Sequence, residues 1–367
     1  MQLIDSLSVQ LSDIPESLQI SLQDIIHNVE IQSYYCIKHP NYKPLELPES
    51  SISRFQKLPL DLQNKYLSQQ LRSFLYGIYY NGSLTKSLAS DAEISTLAVN
   101  QNLENNTFLG VDLAFYDRLH ENNRGKGYWS YGWQVIREET DGAVAVYRDG
   151  LILYVERDSL QASVKVGELI PIKLPKNLVQ NGFYMAVADA GASQHYQTQD
   201  EALVRVYFNV TPDGAVAVMD NLTSYLNAIP IAFTFKALYN PSDYGRYDAG
   251  VLYFDKNDYE KVHPVLEMIY AEHRSHFQEQ VPLFTKPIAP GLAIAEEPKH
   301  RFIEKESFGT HRCQIVANGL VEAWQQGDNT PVGRMTAILQ NFSSLNIELQ
   351  RPYLNAGSED IYTSLYS

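Results

Sequence analysis

Apolar positions change their spacing about a third of the way along the chain. Between residues 12 and 29, Leu18, Leu22, Ile25, Ile26 and Val29 recur at helical intervals and share one face, with Ser12 and Asp13 as N-cap candidates. A second helical pattern covers about 59 to 80, after the proline-punctuated stretch HPNYKPLELPESS, and a polar segment from 81 to 106 joins it to the rest of the chain. The first third, residues 1 to 105, therefore predicts a helical region. Its plain role is scaffold, and its functional alternative is docking of a peptide or partner.

From residue 131 onward short apolar runs separated by turn residues take over. AVAVY, a turn at Arg148-Asp149-Gly150 and LILYV read as a hairpin; ELIPIKL, FYMAVAD, ALVRVYFNV, GAVAVM, IAFTFKAL, AGVLYF and GLAIAEE are further strand candidates. Asp-Gly within Thr211-Pro212-Asp213-Gly214 marks the clearest hairpin, because such turns need φ > 0. Two helical patterns come later, at about 258 to 277 and 308 to 325. Strands predominate without βαβ alternation, which predicts an α+β fold with a largely antiparallel β-sheet flanked by helices, preceded by the helical N-terminal region. The expected division is 1–105, an α+β domain at 106–330 and a C-terminal extension at 331–367.

Two strand candidates carry charge where a buried strand would be neutral. Alternation sets Arg205, Tyr207 and Asn209 on one side of ALVRVYFNV, and sets Thr234 and Lys236 together in IAFTFKAL. Arg246 is in the next loop, and Tyr253 lies inside AGVLYF. Taken singly, Arg205 and Lys236 read as cross-strand partners on a solvated face, and Arg246 as a turn salt bridge to Asp248. Taken together, three cations on neighbouring strands would repel unless an anion sits among them, and phosphate suits guanidinium and ammonium groups. His311 and Arg312 begin a helix after Ser307, another place for an anion. Lys126 stands on a glycine-flanked loop, Arg124-Gly125-Lys126-Gly127, and Lys286 is held beside Pro287.

"SFGTHR", "FTKPIAPGLAIAEEP" and "FKALYNPSDYGRYDAGVLYF" together resemble the HopA-type effector family. This family is named for a plant-pathogen type III effector and also supplies the lyase component of class V lanthipeptide synthetases. The resemblance spans roughly residues 105 to 325. It implies a phosphoserine/phosphothreonine lyase that eliminates phosphate from a phosphorylated precursor peptide, leaving dehydroalanine or dehydrobutyrine, after a separate peptide kinase has acted. A more distant similarity is to the phosphothreonine lyases, whose strand-borne Lys-x-His pair is replaced here by Arg205-Val206-Tyr207. On this reading Arg205, Lys236, Arg246 and Arg312 hold phosphate, and Tyr207, Asn209 and Tyr253 line the substrate. Lys126 is the preferred base with Lys286 next, and His311 is the acid. No cofactor is required. The missing Lys-x-His pair keeps a second reading open, a non-catalytic protein that binds a phosphopeptide or a partner protein.

Charge and cysteine content narrow the setting. A formal net charge of −14 argues against a general nucleic-acid or anionic-membrane binder. Two cysteines, Cys36 and Cys313, build no disulfide framework, and no metal, P-loop or dinucleotide signature is visible. The N-terminal stretch lacks the basic start and apolar core of a Sec-type signal, and no window approaches a membrane span, so a cytoplasmic protein is expected.

Overall fold

The computed structural model describes residues 14–90, 111–157, 160, 164–192, 203–304 and 306–365. The N-cap candidates Ser12 and Asp13, and most of the polar segment 81–106, lie outside the described residues.

The first expected helix forms as α1, Glu16–Asn28, burying Leu18, Leu22, Ile25 and Ile26. The expected helical region is interrupted at residues 30–46. There the chain folds as an antiparallel sheet of β1 (Glu30–Ser33), β2 (Cys36–His39) and β3 (Tyr42–Glu46) in that order, and the proline-punctuated stretch supplies β3. Pro44 is tolerated because β3 is an edge strand of this sheet, where a missing N–H need not break a ladder. Helices α2 (Glu49–Phe55) and α3 (Leu60–Leu75) come next, and α3 runs directly into a π-helical turn, Tyr76–Tyr80. After α4 (Leu113–Asn122), strand β4 (Tyr128–Glu138) joins β5 (Val144–Arg148), β6 (Leu151–Val155) and β7 (Leu169–Leu174) in a sheet ordered β6-β5-β4-β7. Its own small core is Trp133, Val135, Val144, Val146, Ile170 and Ile172. The β5–β6 hairpin matches its prediction, with Asp149 and Gly150 at φ 50° and 83°.

The main sheet has seven strands, ordered β13-β14-β10-β12-β11-β9-β8 and antiparallel throughout. These are β8 (Asn177–Gln180), β9 (Phe183–Val187), β10 (Leu203–Phe208), β11 (Phe233–Leu238), β12 (Gly250–Asp255), β13 (Lys286–Ala289) and β14 (Leu292–Glu296). The α+β fold read from the sequence is thus the observed one. One face presents Val204, Val206, Phe208, Phe233, Phe235, Leu252, Phe254 and Ile294, all buried in the core with α5 (Pro212–Ala228) and α6 (Tyr259–His273).

Helix α5 corrects the clearest hairpin of the sequence reading. Thr211 caps it by accepting from the Gly214 N–H at 3.1 Å, and Pro212 occupies the first turn, where its missing N–H costs nothing. Ala215, Val218, Met219, Leu222 and Leu226 then fall on one buried face at helical spacing. Gly214 is required by contact rather than by a turn: a Cβ there would lie 2.5 Å from that of His276.

On the other face lies α7 (Phe308–Gln325), followed by α8 (Pro331–Ser344) packed against it. The tail beyond α8 joins the same core through Tyr353, Leu354, Tyr362 and Leu365. Among the described residues, no helix is long and apolar enough to cross a membrane, and no cluster of His, Cys, Asp and Glu could hold a metal.

Candidate functional site

Strand register decides which of the charged residues meet. Arg205 lies opposite Tyr253, which lies opposite Thr234; one pair further along, Tyr207, Val251 and Lys236 form the next row. Directly paired residues share a face, so Arg205, Tyr207, Tyr253, Thr234 and Lys236 point to the same side of the sheet. This is the side of α7, where Tyr207 sits 6.5 Å from Phe308 and 6.4 Å from Tyr80, ring to ring. Towards β9 the cover thins, and Lys236 and Met185 are only half-buried.

The Lys236 Nζ hovers 4.5 Å from the centre of the Phe183 ring and 5.4 Å from that of Tyr253. It makes no hydrogen bond to any described residue. Burial, then the nearby Arg205 and Arg246 guanidiniums, lower its pKa to about 7, with Asp248 and Glu297 opposing. Arg205 lies over the Tyr253 ring at 4.9 Å and is paired through Nε with Glu297, which also takes Arg301 at 3.0 Å. Arg246 donates Nε and an Nη to the two oxygens of Asp248, at 2.6 and 2.9 Å. The salt-bridge reading of Arg246 with Asp248 therefore holds, but the pair is buried rather than exposed. Thr234 adds a buried hydroxyl with no hydrogen-bond partner among the described residues. Burial pushes the Tyr253 phenol up to about 12, against the pull of Arg205, so it is a proton donor at neutral pH.

The expected mutual repulsion of these cations is thus answered by the chain itself, which supplies Glu297 and Asp248. Each carboxylate uses only part of its arginine. A guanidinium has five N–H groups, and those of Arg205 and Arg246 not turned to Glu297 and Asp248 bond to no other described residue.

Five other residues singled out in the sequence fall elsewhere. Arg312 is fully buried and gives its N–H groups to the Pro352 and Leu354 carbonyls, at 2.7 and 3.0 Å, and to His311 Nδ1. Its task is to fasten the tail to α7, so Arg312→Lys is expected to destabilise the protein by about 1–3 kcal/mol, from carbonyls left unsatisfied. Denaturant unfolding measures this. His311 is buried and neutral: burial and then Arg312 lower its pKa to about 3, and its Nδ1 already accepts a hydrogen bond. At neutral pH it is therefore not the imidazolium that a general acid would need. Lys286 pairs with Ile294 and so takes the opposite face, where it binds Asp360 at 2.8 Å and the Tyr362 carbonyl at 2.6 Å. Lys126 is exposed on a turn whose neighbour Asn123 bonds to Tyr184, and Tyr184 is in register with Ala237 on the opposite face from Lys236. Asn209 lies past the end of β10 and donates to the Gln280 carbonyl at 2.8 Å.

The lowered pKa of Lys236 has a consequence for folding. Between about 7 and its ordinary 10.5 the unfolded chain holds a proton that the folded chain does not, so stability rises with pH across that window. Below it both states are protonated and the full cost of the confined ammonium is present. Lys236→Met is therefore expected to raise stability by about 2–4 kcal/mol at pH 6, with the gain fading towards pH 10. Melting curves at both pH values check the sign.

The fold and the buried cluster define an α+β protein with a group of cations set among aromatic rings on one face of an antiparallel sheet. Residues 174–354 match the HopA1 effector protein family. Arg205, Lys236, Arg246, Tyr253 and Glu297 all lie within it. Among solved structures the chain is similar to an effector protein from Pseudomonas syringae pv. tomato strain DC3000, at 17% identity and a TM-score of 0.39, covering 66% of this chain and 80% of that one. It is also similar to an effector protein from Pseudomonas syringae pv. syringae strain 61, at 14% identity and a TM-score of 0.39, covering 66% and 81%. No curated protein matches the chain.

Proposed function

We propose that the chain is a phosphoserine/phosphothreonine lyase, which acts in the cytoplasm on a precursor peptide phosphorylated by a separate kinase, as in lanthipeptide-type biosynthesis. The observation that carries this reading is Lys236, an amine with a pKa lowered to about 7, near two arginines that each have N–H groups bonded to no other described residue. The reaction asks for a base and a cationic cradle in one place. Neutral Lys236 removes the Cα proton, the electron pair of that bond forms the Cα=Cβ double bond, and the Cβ–O bond breaks with its electrons leaving on phosphate. Arg205 and Arg246 bear the phosphate charge, and the Thr234 hydroxyl and the Tyr253 phenol supply further donors. Lys236 thereby replaces Lys126 as the base, because a base must be near the cradle and Lys126 is exposed beside Asn123 and Tyr184, away from it.

The test is incubation of phosphoserine and phosphothreonine peptides with the full chain, in the absence of nucleotide, with mass spectrometry of the products. Loss of the elements of phosphoric acid supports the lyase. Saturable binding with no change of mass would instead favour the phosphopeptide-binding reading, for which the two carboxylates already seated on the arginines are the relevant observation.

A further inference from the structure

The Asp248 carboxylate that holds Arg246 is itself held from outside the family-matched segment. Asn81 donates its side-chain amide to both Asp248 oxygens, at 3.2 and 3.4 Å, and the Tyr76 hydroxyl reaches Oδ2 at 3.3 Å. Burial alone would push the Asp248 carboxyl up, yet Arg246 and Asn81 keep it below the ordinary range. Tyr76 and Asn81 bracket the π-helical turn, and the Asn81 N–H bonds to the Tyr76 carbonyl five residues back. On a regular α-helix two residues five apart would point about 140° away from each other. The wider turn lets both reach one carboxylate, in keeping with the placement of such turns at functional sites.

Asn81 is immobilised on every side. It is completely buried, its carbonyl accepts from the Tyr247 N–H at 2.9 Å, and its Oδ1 accepts from the Ser83 N–H at 3.1 Å. The next residue, Gly82, has φ 71°, and a Cβ on it would lie 2.7 Å from the Tyr247 ring. The turn is thus seated against the segment that carries Arg246 and Asp248.

We propose that Tyr76 and Asn81 are positioning residues for Arg246, acting through Asp248, so that the cationic cluster is completed by the N-terminal region. The inference rests on the phosphate-binding reading of the cluster. With Asp248 fixed at both oxygens, Arg246 is locked along its Nε edge and its remaining N–H groups keep one direction. Without Tyr76 and Asn81 the buried pair can turn together, and the free edge loses its aim.

The experiment uses the full chain with Tyr76→Phe, Asn81→Ala and Arg246→Ala, singly and with each of the first two combined with the third. The Tyr76→Phe change keeps the ring that packs 4.8 Å from Tyr80, so it serves if Asn81→Ala fails to fold. The first readout needs no ligand: the Arg246 Nε–H signal in a nitrogen–proton NMR spectrum, identified by its loss in Arg246→Ala. Its exchange with water is expected to quicken about five- to tenfold in each positioning variant, the scale of one hydrogen bond. The second readout is titration with inorganic phosphate, expected to weaken by a similar factor in each variant and no further when Arg246→Ala is already present. Unchanged exchange in a folded variant overturns the proposal, as do losses of phosphate affinity that add to that of Arg246→Ala. Quickened exchange in a protein whose wild type binds no phosphate upholds the positioning role and overturns the phosphate reading alone.

Discussion

Lys236→Arg is expected to slow elimination from a phosphoserine peptide by about 10²- to 10⁴-fold, the range that a general base contributes, while the peptide still binds. Arginine preserves the positive charge that the cradle offers to phosphate, but it cannot be deprotonated in a protein, so it removes the base alone. The same assignment fixes a pH profile. Lys236 must be neutral to accept the Cα proton, and its pKa is lowered to about 7, so the rate should climb through that pH and level off above it. The residual rate of Lys236→Arg should lack this limb. Turnover of the arginine variant at more than a tenth of the wild-type rate, or a wild-type rate that falls as pH rises from 6 to 8, would show that another group takes the proton.

The part of this site that alternation governs was legible in the sequence. Arg205 and Tyr207 are two apart on β10, and Thr234 and Lys236 are two apart on β11, so a period of two puts each pair on a single side whatever the strands pack against. The parts set by long-range register were not. Glu297 stands ninety-two residues from Arg205 and meets it only because β14 pairs with β10. The next pairing, β13 with β14, carries Lys286 to the opposite face, although local sequence offered no reason to separate it from the cluster. His311 and Arg312 misled for a different reason: their partners include the carbonyls of residues 352 and 354, and backbone acceptors have no sequence identity to read. Helix α5 shows a conflict of local signals. Asp-Gly favours a turn, but Thr-Pro before it satisfies a helix N-terminus, and the apolar spacing of the next fourteen residues settles the competition.

The cluster also has a logic of substitution between carboxylate and phosphate. Glu297 pairs with Arg205 and with Arg301, which the Pro298 and Glu304 carbonyls also hold, and its side chain is almost completely enclosed. Glu297→Gln removes one negative charge from this place while keeping the shape and one acceptor oxygen. Two opposite effects are expected. Stability should fall by about 3–5 kcal/mol, the cost of leaving a buried guanidinium without its carboxylate. Affinity for inorganic phosphate should rise about tenfold, since the Arg205 guanidinium then gains from the ligand what it has lost from the chain. The pH limb offers an independent check, because Glu297 holds the Lys236 pKa up. Removing its charge should move the midpoint of the rate profile below about 7. Phosphate that protects the variant against heat more than it protects the wild type would show both effects in one melting experiment. Equal protection, with a midpoint that does not move, would place the phosphate away from Arg205 and make Glu297 a purely structural partner.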